Sequence, residues 1–273
     1  MTSNLLEEGV EDILETLLAD ADDELLVVDP SASTVEELVT VATEAEDELP
    51  TIKLVAADGV LKDVMGDFIV ASNAADLVEA GALSLRTSAD AGGNSLFVTR
   101  EAVMALVTAG EHVAALTTED EEFVADAFDT YEAEWESAPE FKLRTPAISR
   151  VRETLGTDIG DATESDFDTV LASLETARGD GDGLDEVTIS LLVAAKNDVL
   201  LYDISKWGED VGIASKATFS RTKTKLEDMG LIDTEKVPID VGRPRLRLKL
   251  GDDRLKNADA RELAGVAQSL LAS

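Results

Sequence analysis

Apolar positions along the first half of the chain alternate between two periods. Leu5, Leu6, Val10, Ile13, Leu14, Leu17 and Leu18 recur at helical spacing, and "ELLVVDP" (Glu24 to Pro30) then forms a short apolar run closed by proline. Such a run is the mark of a buried strand. "STVEELVTVATEAEDEL" reads as a helix with Ser33 as N-cap and Glu36 completing a capping box, and it leads to a second strand, "TIKLVA" (Thr51 to Ala56). Strand, helix and strand in this order predict a parallel pair. After helical pieces around residues 60–80, "ALSLRTS", the turn "ADAGGN", "SLFVT", "AVMALV" and "EHVAALT" follow at short spacing. They predict an antiparallel meander, although "AVMALV" alone fits a helix as well. In "TTEDEEFVADAFDTYEAEWESA", Thr118 is the expected cap, and Phe123, Ala127, Phe128 and Tyr131 the expected buried stripe. A domain boundary is expected near Pro139.

The second half is helical up to a change of pattern near residue 230. "TPAISRVRETLG", "SDFDTVLASLETA" and "LDEVTISLLVAAKN" are three helices, and "LLYDISKWGEDVGI" a fourth that stops at Gly212. Ser215 then stands where an N-cap would open "SKATFSRTKTKLEDMGLI". Within that helix Phe219, Thr222, Leu226 and Met229 form the expected buried stripe, while Lys216, Thr218, Ser220, Arg221 and Lys225 face elsewhere. Two alternating segments follow around the turn signal "DVGRP", with Arg243, Arg245, Arg247 and Lys249 interleaved with leucines. This is a basic hairpin. The last segment, "DDRLKNADARELAGVAQSLLAS", predicts a helix with Leu255, Leu263, Val266, Ala267 and Leu270 on one side, suited equally to packing on its own domain or to dimerisation.

Charge sharpens the division. The formal net charge is −35, but residues 1–141 carry 4 cations against 34 acids, and residues 142–273 carry 19 against 24. Self-repulsion of that size fades where the Debye length is short, about 3 Å at about 1 M salt. The composition therefore predicts a salt-accumulating, halophilic setting. With 44% hydrophobic residues the chain is expected to be globular. It shows no apolar run of membrane-spanning length and no signal-peptide pattern, so no membrane partner and a cytoplasmic location are expected.

Candidate chemistry is sparse. With no cysteine and one histidine, neither a disulfide nor a transition-metal site is expected. Phosphate-cradling glycine loops and the Gly-x-Ser-x-Gly elbow are absent, and "GDGDGLDE" lacks the alternation of a calcium loop and reads as a linker. The order of elements in the first half resembles the phospholipase-D-like effector domains of archaeal sugar-responsive regulators. Enzymes of that fold need His-x-Lys, whereas His112 is followed by Val113 and Ala114. No catalytic residues, metal or cofactor are therefore expected, and the chain is read as a non-enzyme. Lys53, Lys62, Arg86 and Arg100 are the only cations of this half. Arg86 and Arg100 are candidates for holding a small anionic metabolite or sugar, with surface ion pairing the plainer reading.

A helix-turn-helix followed directly by a basic hairpin is a winged helix. The major groove admits one helix, and alternate cations on a wing suit the phosphate backbone. Ser215, Lys216, Thr218, Ser220, Arg221 and Lys225 are the groove candidates, and Arg243, Arg245 and Arg247 the wing candidates. Through "LLEEGVEDIL", "SKATFSRTKTKLEDMGLI" and "GRPRLRLKL" the chain resembles the haloarchaeal TbsP-like winged-helix transcription regulators along essentially its full length. The resemblance implies a regulator of metabolic genes with an N-terminal effector or interaction domain. The expected architecture is an α/β, phospholipase-D-like, non-catalytic domain over residues 1–141 and an α+β winged helix-turn-helix domain with a helical extension over 142–273. Double-stranded DNA is the expected partner and a homodimer the expected state, since paired recognition helices match a palindromic operator. A winged helix that binds protein instead is the alternative.

Overall fold

The computed structural model describes residues 5–7, 9–21, 23–46, 48–88, 95–109, 112–179, 183–240 and 244–272. It divides into two compact units, one of residues 1–66 and 73–143, the other of residues 67–72 and 144–273. Among the described residues no helix is long and apolar enough to cross a membrane.

The first unit is built on a seven-stranded sheet. The elements up to residue 143 are β1 (Leu5–Glu7), α1 (Val10–Asp20), β2 (Glu24–Val28), α2 (Ala32–Glu44), β3 (Thr51–Ala57), α3 (Asp58–Val64), α4 (Phe68–Glu79), β4 (Leu83–Ser88), β5 (Leu96–Val98), β6 (Val103–Ala109), β7 (His112–Thr118) and α5 (Glu121–Ser137), with the start of α4, up to residue 72, counted in the second unit. The strand order is β1-β7-β6-β5-β2-β3-β4. β2, β3 and β4 run parallel, as helical crossovers require, and the remaining pairs are antiparallel. Leu25 to Val28 of β2 are all buried, so this strand is covered on both faces. Helix α5 supplies one cover, packing Val124 and Phe128 against Leu26, Val98 and Val103.

Several local expectations shift. Leu5 and Leu6 belong to β1, paired antiparallel with β7, because a short extended segment satisfies a strand edge that would otherwise be bare. "ALSLRTS" does not open the meander: β4 lies beside β3 at the far edge, while β5 crosses to β2. The turn "ADAGGN" lies outside the described residues. "AVMALV" resolves as strand β6. Helix α2 is capped by Ser31 rather than Ser33, with Ser31 Oγ accepting from Thr34 N–H at 3.2 Å. Asp120 rather than Thr118 caps α5, accepting from Phe123 N–H at 3.1 Å. Phe123 is consequently 55% exposed, and the buried stripe is Val124 and Phe128, continued by half-buried Tyr131 and Trp135.

The second unit continues with α6 (Ile148–Asp158), α7 (Asp161–Leu171), α8 (Glu186–Lys196), α9 (Leu201–Val211), α10 (Lys216–Asp228), β8 (Ile232–Val237), β9 (Arg245–Leu250), α11 (Asp253–Asn257) and α12 (Ala260–Leu271). Helix α8, capped by Asp185, is buried continuously from Val187 to Ala195 and is the axis of the core. Around it Leu155, Phe167, Trp207, Phe219, Leu248 and Leu263 join one cluster. Trp207 Nε1 donates to Thr154 Oγ1 at 3.0 Å, so the indole is buried without an unmatched donor. Gly208 lets α9 approach α10: a Cβ there would lie 2.4 Å from the Phe219 ring. The terminal segment is two helices rather than one. Leu255 sits on α11, while Leu263, Ala264 and Ala267 of α12 pack into the core of this unit, with α12 against α7.

Candidate nucleic-acid interface

Helices α9 and α10 meet at a tight turn. Gly212 takes the left-handed conformation, φ 100°, that a side chain disfavours, and its N–H returns to Gly208 O. Ser215 then has extended backbone, and its Oγ accepts from Thr218 N–H at 3.2 Å, the capping bond that starts α10. The same Oγ lies 3.0 Å from Thr218 Oγ1. Both hydroxyls therefore serve the helix start.

The four cations of α10 divide by role. Lys216 Nζ lies 2.6 Å from Glu209 Oε2, and Lys216 N–H donates to Glu209 Oε1 at 3.3 Å, so this lysine closes the turn onto α9. The hydrogen bond between the side chains holds the Glu209 carboxyl below its ordinary range and raises the Lys216 ammonium. Lys223 is only 8% exposed and reaches Glu227 Oε2 at 2.7 Å. Glu227 Oε1 accepts from Thr234 Oγ1 at 2.7 Å, which ties α10 to β8; Lys223 first, then Thr234, holds this carboxyl low. Met229, expected in the buried stripe, is 41% exposed, and Lys223 takes the inward place beside Phe219 and Leu226. A lysine can do so because its stem is apolar and its head finds Glu227.

Arg221 and Lys225 point the other way. Ala217, Ser220, Arg221, Thr224, Lys225 and Asp228 are exposed along one side of α10, opposite Phe219 and Leu226. Arg221 Nη2 touches Thr218 Oγ1 at 3.5 Å, and among the described residues no carboxylate forms an ion pair with Arg221 or Lys225. Periodicity taken from Phe219 and Leu226 alone already places Ala217 and Thr224 at the centre of this side. Neither carries a charge, so neither stands out among the cations of this helix.

The hairpin is antiparallel, with Asp233, Glu235 and Val237 opposite Lys249, Arg247 and Arg245. Its other side sets Ile232 and Thr234 against buried Leu250 and Leu248. An isolated bridge from Leu200 to Arg247 adds a short third segment. Each described cation of β9 meets an acid. Arg245 lies 3.4 Å from Asp203 Oδ1 and 4.4 Å over the exposed Tyr202 ring; Arg247 is 3.7 Å from Glu235, and Lys249 2.6 Å from Asp198. Arg243 lies outside the described residues.

In the first unit, Arg86 and Arg100 are not brought into one pocket. Arg86 Nη1 donates to the carbonyls of Trp135, Glu136 and Ala138 at 2.6 to 3.0 Å, and its guanidinium lies 4.0 Å over the Trp135 ring. A cation at these last carbonyls of α5 suits the negative end of the helix. Lys53 stands 4.8 Å from the same ring and pairs with Glu24 and Glu132. Arg100 lies 4.1 Å over Phe128 and 3.8 Å from Glu24, at the edge of a hollow of about 630 Å³ that Thr99, Glu101, Thr117 and Glu121 also line.

Solved structures similar to the chain include TrmBL2, described as an archaeal chromatin protein with a novel mode of DNA binding. It is 15% identical over 50% of this chain and 54% of its own length, with a TM-score of 0.35. The phospholipase D family member Nuc from Salmonella typhimurium is 10% identical over 52% of this chain and 99% of its own, with a TM-score of 0.35. For NucT from Helicobacter pylori the values are 12%, 52%, 100% and 0.37. Among curated protein sequences none matches the chain. Residues 2–146 match the family model of the TbsP-like transcriptional regulator N-terminal region, and residues 147–268 that of the TbsP-like C-terminal HTH domain; the chain belongs to the TbsP-like transcriptional regulators.

Proposed function

We propose that the protein is a sequence-specific, double-stranded-DNA-binding regulator of metabolic genes in a halophilic archaeal cytoplasm, acting as a homodimer without catalysis of its own. The observation that carries this reading is the outward side of α10, where Arg221 and Lys225 form no ion pair with any described carboxylate, in a chain of net charge −35. Helix α10 enters the major groove with Ser220, Arg221 and Lys225 toward the DNA, while Ser215, Lys216 and Thr218 line its approach and fix its start. Arg245 and Arg247, with Arg243 beside them in sequence, follow the phosphate backbone by exchanging their carboxylates for phosphates. Residues 1–141 are the effector or dimerisation domain and 142–273 the DNA-binding domain. Arg100, at its hollow, is the better placed of the two arginines to meet a small anionic metabolite or sugar.

The test is fluorescence anisotropy of the full chain with labelled genomic fragments in molar KCl. Selective binding of a subset of fragments is expected, and equal failure on every fragment overturns the reading. One observation favours a second reading: the described cations of β9, Arg245, Arg247 and Lys249, are matched by acids, as on a surface that meets protein rather than phosphate. A chain that shifts no DNA but co-purifies with a defined protein through the wing would establish it.

A further inference from the structure

We infer that α10 reads thymine methyl groups through Ala217 and Thr224, placed on either side of a guanine-reading Arg221. The inference rests on the DNA-binding function proposed above.

Two of the side chains at the centre of the exposed side of α10, Ala217 and Thr224, are small and carry methyl groups. With 3.6 residues per turn, Ala217, Arg221 and Thr224 fall within an arc of about 60°, and Ser220 and Lys225 flank them. Thr224 Oγ1 is turned back onto Ser220 O at 3.0 Å. What Thr224 presents to a ligand is therefore its γ-methyl, and Ala217 presents only its β-methyl. In the major groove the thymine C5 methyl is the apolar feature, and alanine and threonine methyls are its natural contacts. Arg221 keeps a bidentate edge available, because Thr218 Oγ1 engages one N–H of Nη2 and the other can act with Nε or Nη1. Two parallel donors match O6 and N7 of guanine. The small size of Ala217 and Thr224 also lets the helix axis come close enough for the arginine to reach base edges.

Spacing sets the order of bases. Four residues separate Ala217 from Arg221 and three separate Arg221 from Thr224, about 6 Å and about 4.5 Å along the axis at 1.5 Å per residue. Base pairs rise about 3.4 Å. The half-site is therefore a guanine with a thymine one to two base pairs away on each side. Asp228, on the same side one turn beyond Thr224, ends base contact there, since its carboxylate repels phosphate.

The experiment begins with selection of bound sequences from a random 40-base-pair duplex pool by the full chain in molar KCl. The enriched site is then remade with deoxyuridine replacing thymine one position at a time. Two replacements within about five base pairs are expected to weaken binding about fourfold each, the factor for burying one methyl group. Thr224→Ser keeps the hydroxyl and loses the methyl, so it should abolish the effect at one of them; Thr224→Val should preserve it. An enriched site whose affinity no deoxyuridine replacement changes overturns the inference while leaving the DNA-binding function intact. A pool from which nothing is enriched overturns both.

Discussion

The two units handle scarce positive charge in opposite ways. In the first, Lys53, Arg86 and Arg100 lie against the aromatic rings of α5, and Arg86 also takes up its last carbonyls. In the second, Lys216 fastens α10 to α9 and Lys223 holds Glu227, which bonds Thr234 of β8, while Arg221 and Lys225 face outward. A cation over a partly buried ring has lost part of its hydration and feels the ring at short range, so salt weakens it less than an exposed ion pair. Retained cations in this acidic chain are therefore of two kinds, those that hold an element and those left facing outward.

Substitutions separate the kinds. Arg221→Ala should reduce affinity for a selected site by roughly tenfold to a hundredfold, the range for one bidentate base contact, and relax the preference at one base pair. Unchanged affinity and preference would move Arg221 to the holding class. Arg86→Ala should leave DNA affinity unchanged while destabilising the chain by about 2 kcal/mol, because charged hydrogen bonds to helix-end carbonyls are lost. The measurement is a urea midpoint, and an effect on DNA affinity with no loss of stability would break the comparison. Asp203→Asn and Glu235→Gln should free Arg245 and Arg247 and tighten binding about threefold on all sequences. They should also steepen the dependence of log K on log salt from a slope of about −2 per protomer, set by two free cations, by up to about one per released charge. A slope already near about −4 per protomer in the unaltered chain would show that the wing cations leave their carboxylates without help.

The smallest expected effect is on pH. Glu209 and Glu227 have depressed carboxyls in the folded chain. Their contribution to stability is present above the ordinary glutamate range and is lost as pH falls through their lowered values. Glu186, raised chiefly by burial, acts oppositely and costs stability as pH rises through the ordinary range. Glu227→Gln should therefore flatten the fall in urea midpoint below about pH 4.5, whereas Glu186→Gln should raise the midpoint at pH 7.

Much of this arrangement is legible in the sequence. The parallel crossover between β2 and β3, the cap at Ser215, the stop at Gly212 and the hairpin around "DVGRP" follow from period and turn chemistry, which are local. What stays hidden depends on contacts across the fold. Nothing local makes Leu5 and Leu6 a strand; the free edge of β7 does. Lys223 reads as a surface cation until Glu227 and Thr234 are seen beside it. Arg86 and Arg100 look alike in the sequence as rare cations, but Trp135 and Phe128 draw them to different turns of α5. The wing reads as basic because Asp198 and Asp203, which meet Lys249 and Arg245, come about 40 to 50 residues earlier in the chain.

The inward seat of Lys223 bears on how such a regulator acquires new targets. The cations that lock α10 in place belong to a different side from the one that faces outward, so Ala217, Ser220, Arg221, Thr224 and Lys225 can vary together without loosening the helix. If α10 reads DNA as proposed, a lineage can rewire its set of promoters through a handful of codons while inheriting the scaffold unchanged.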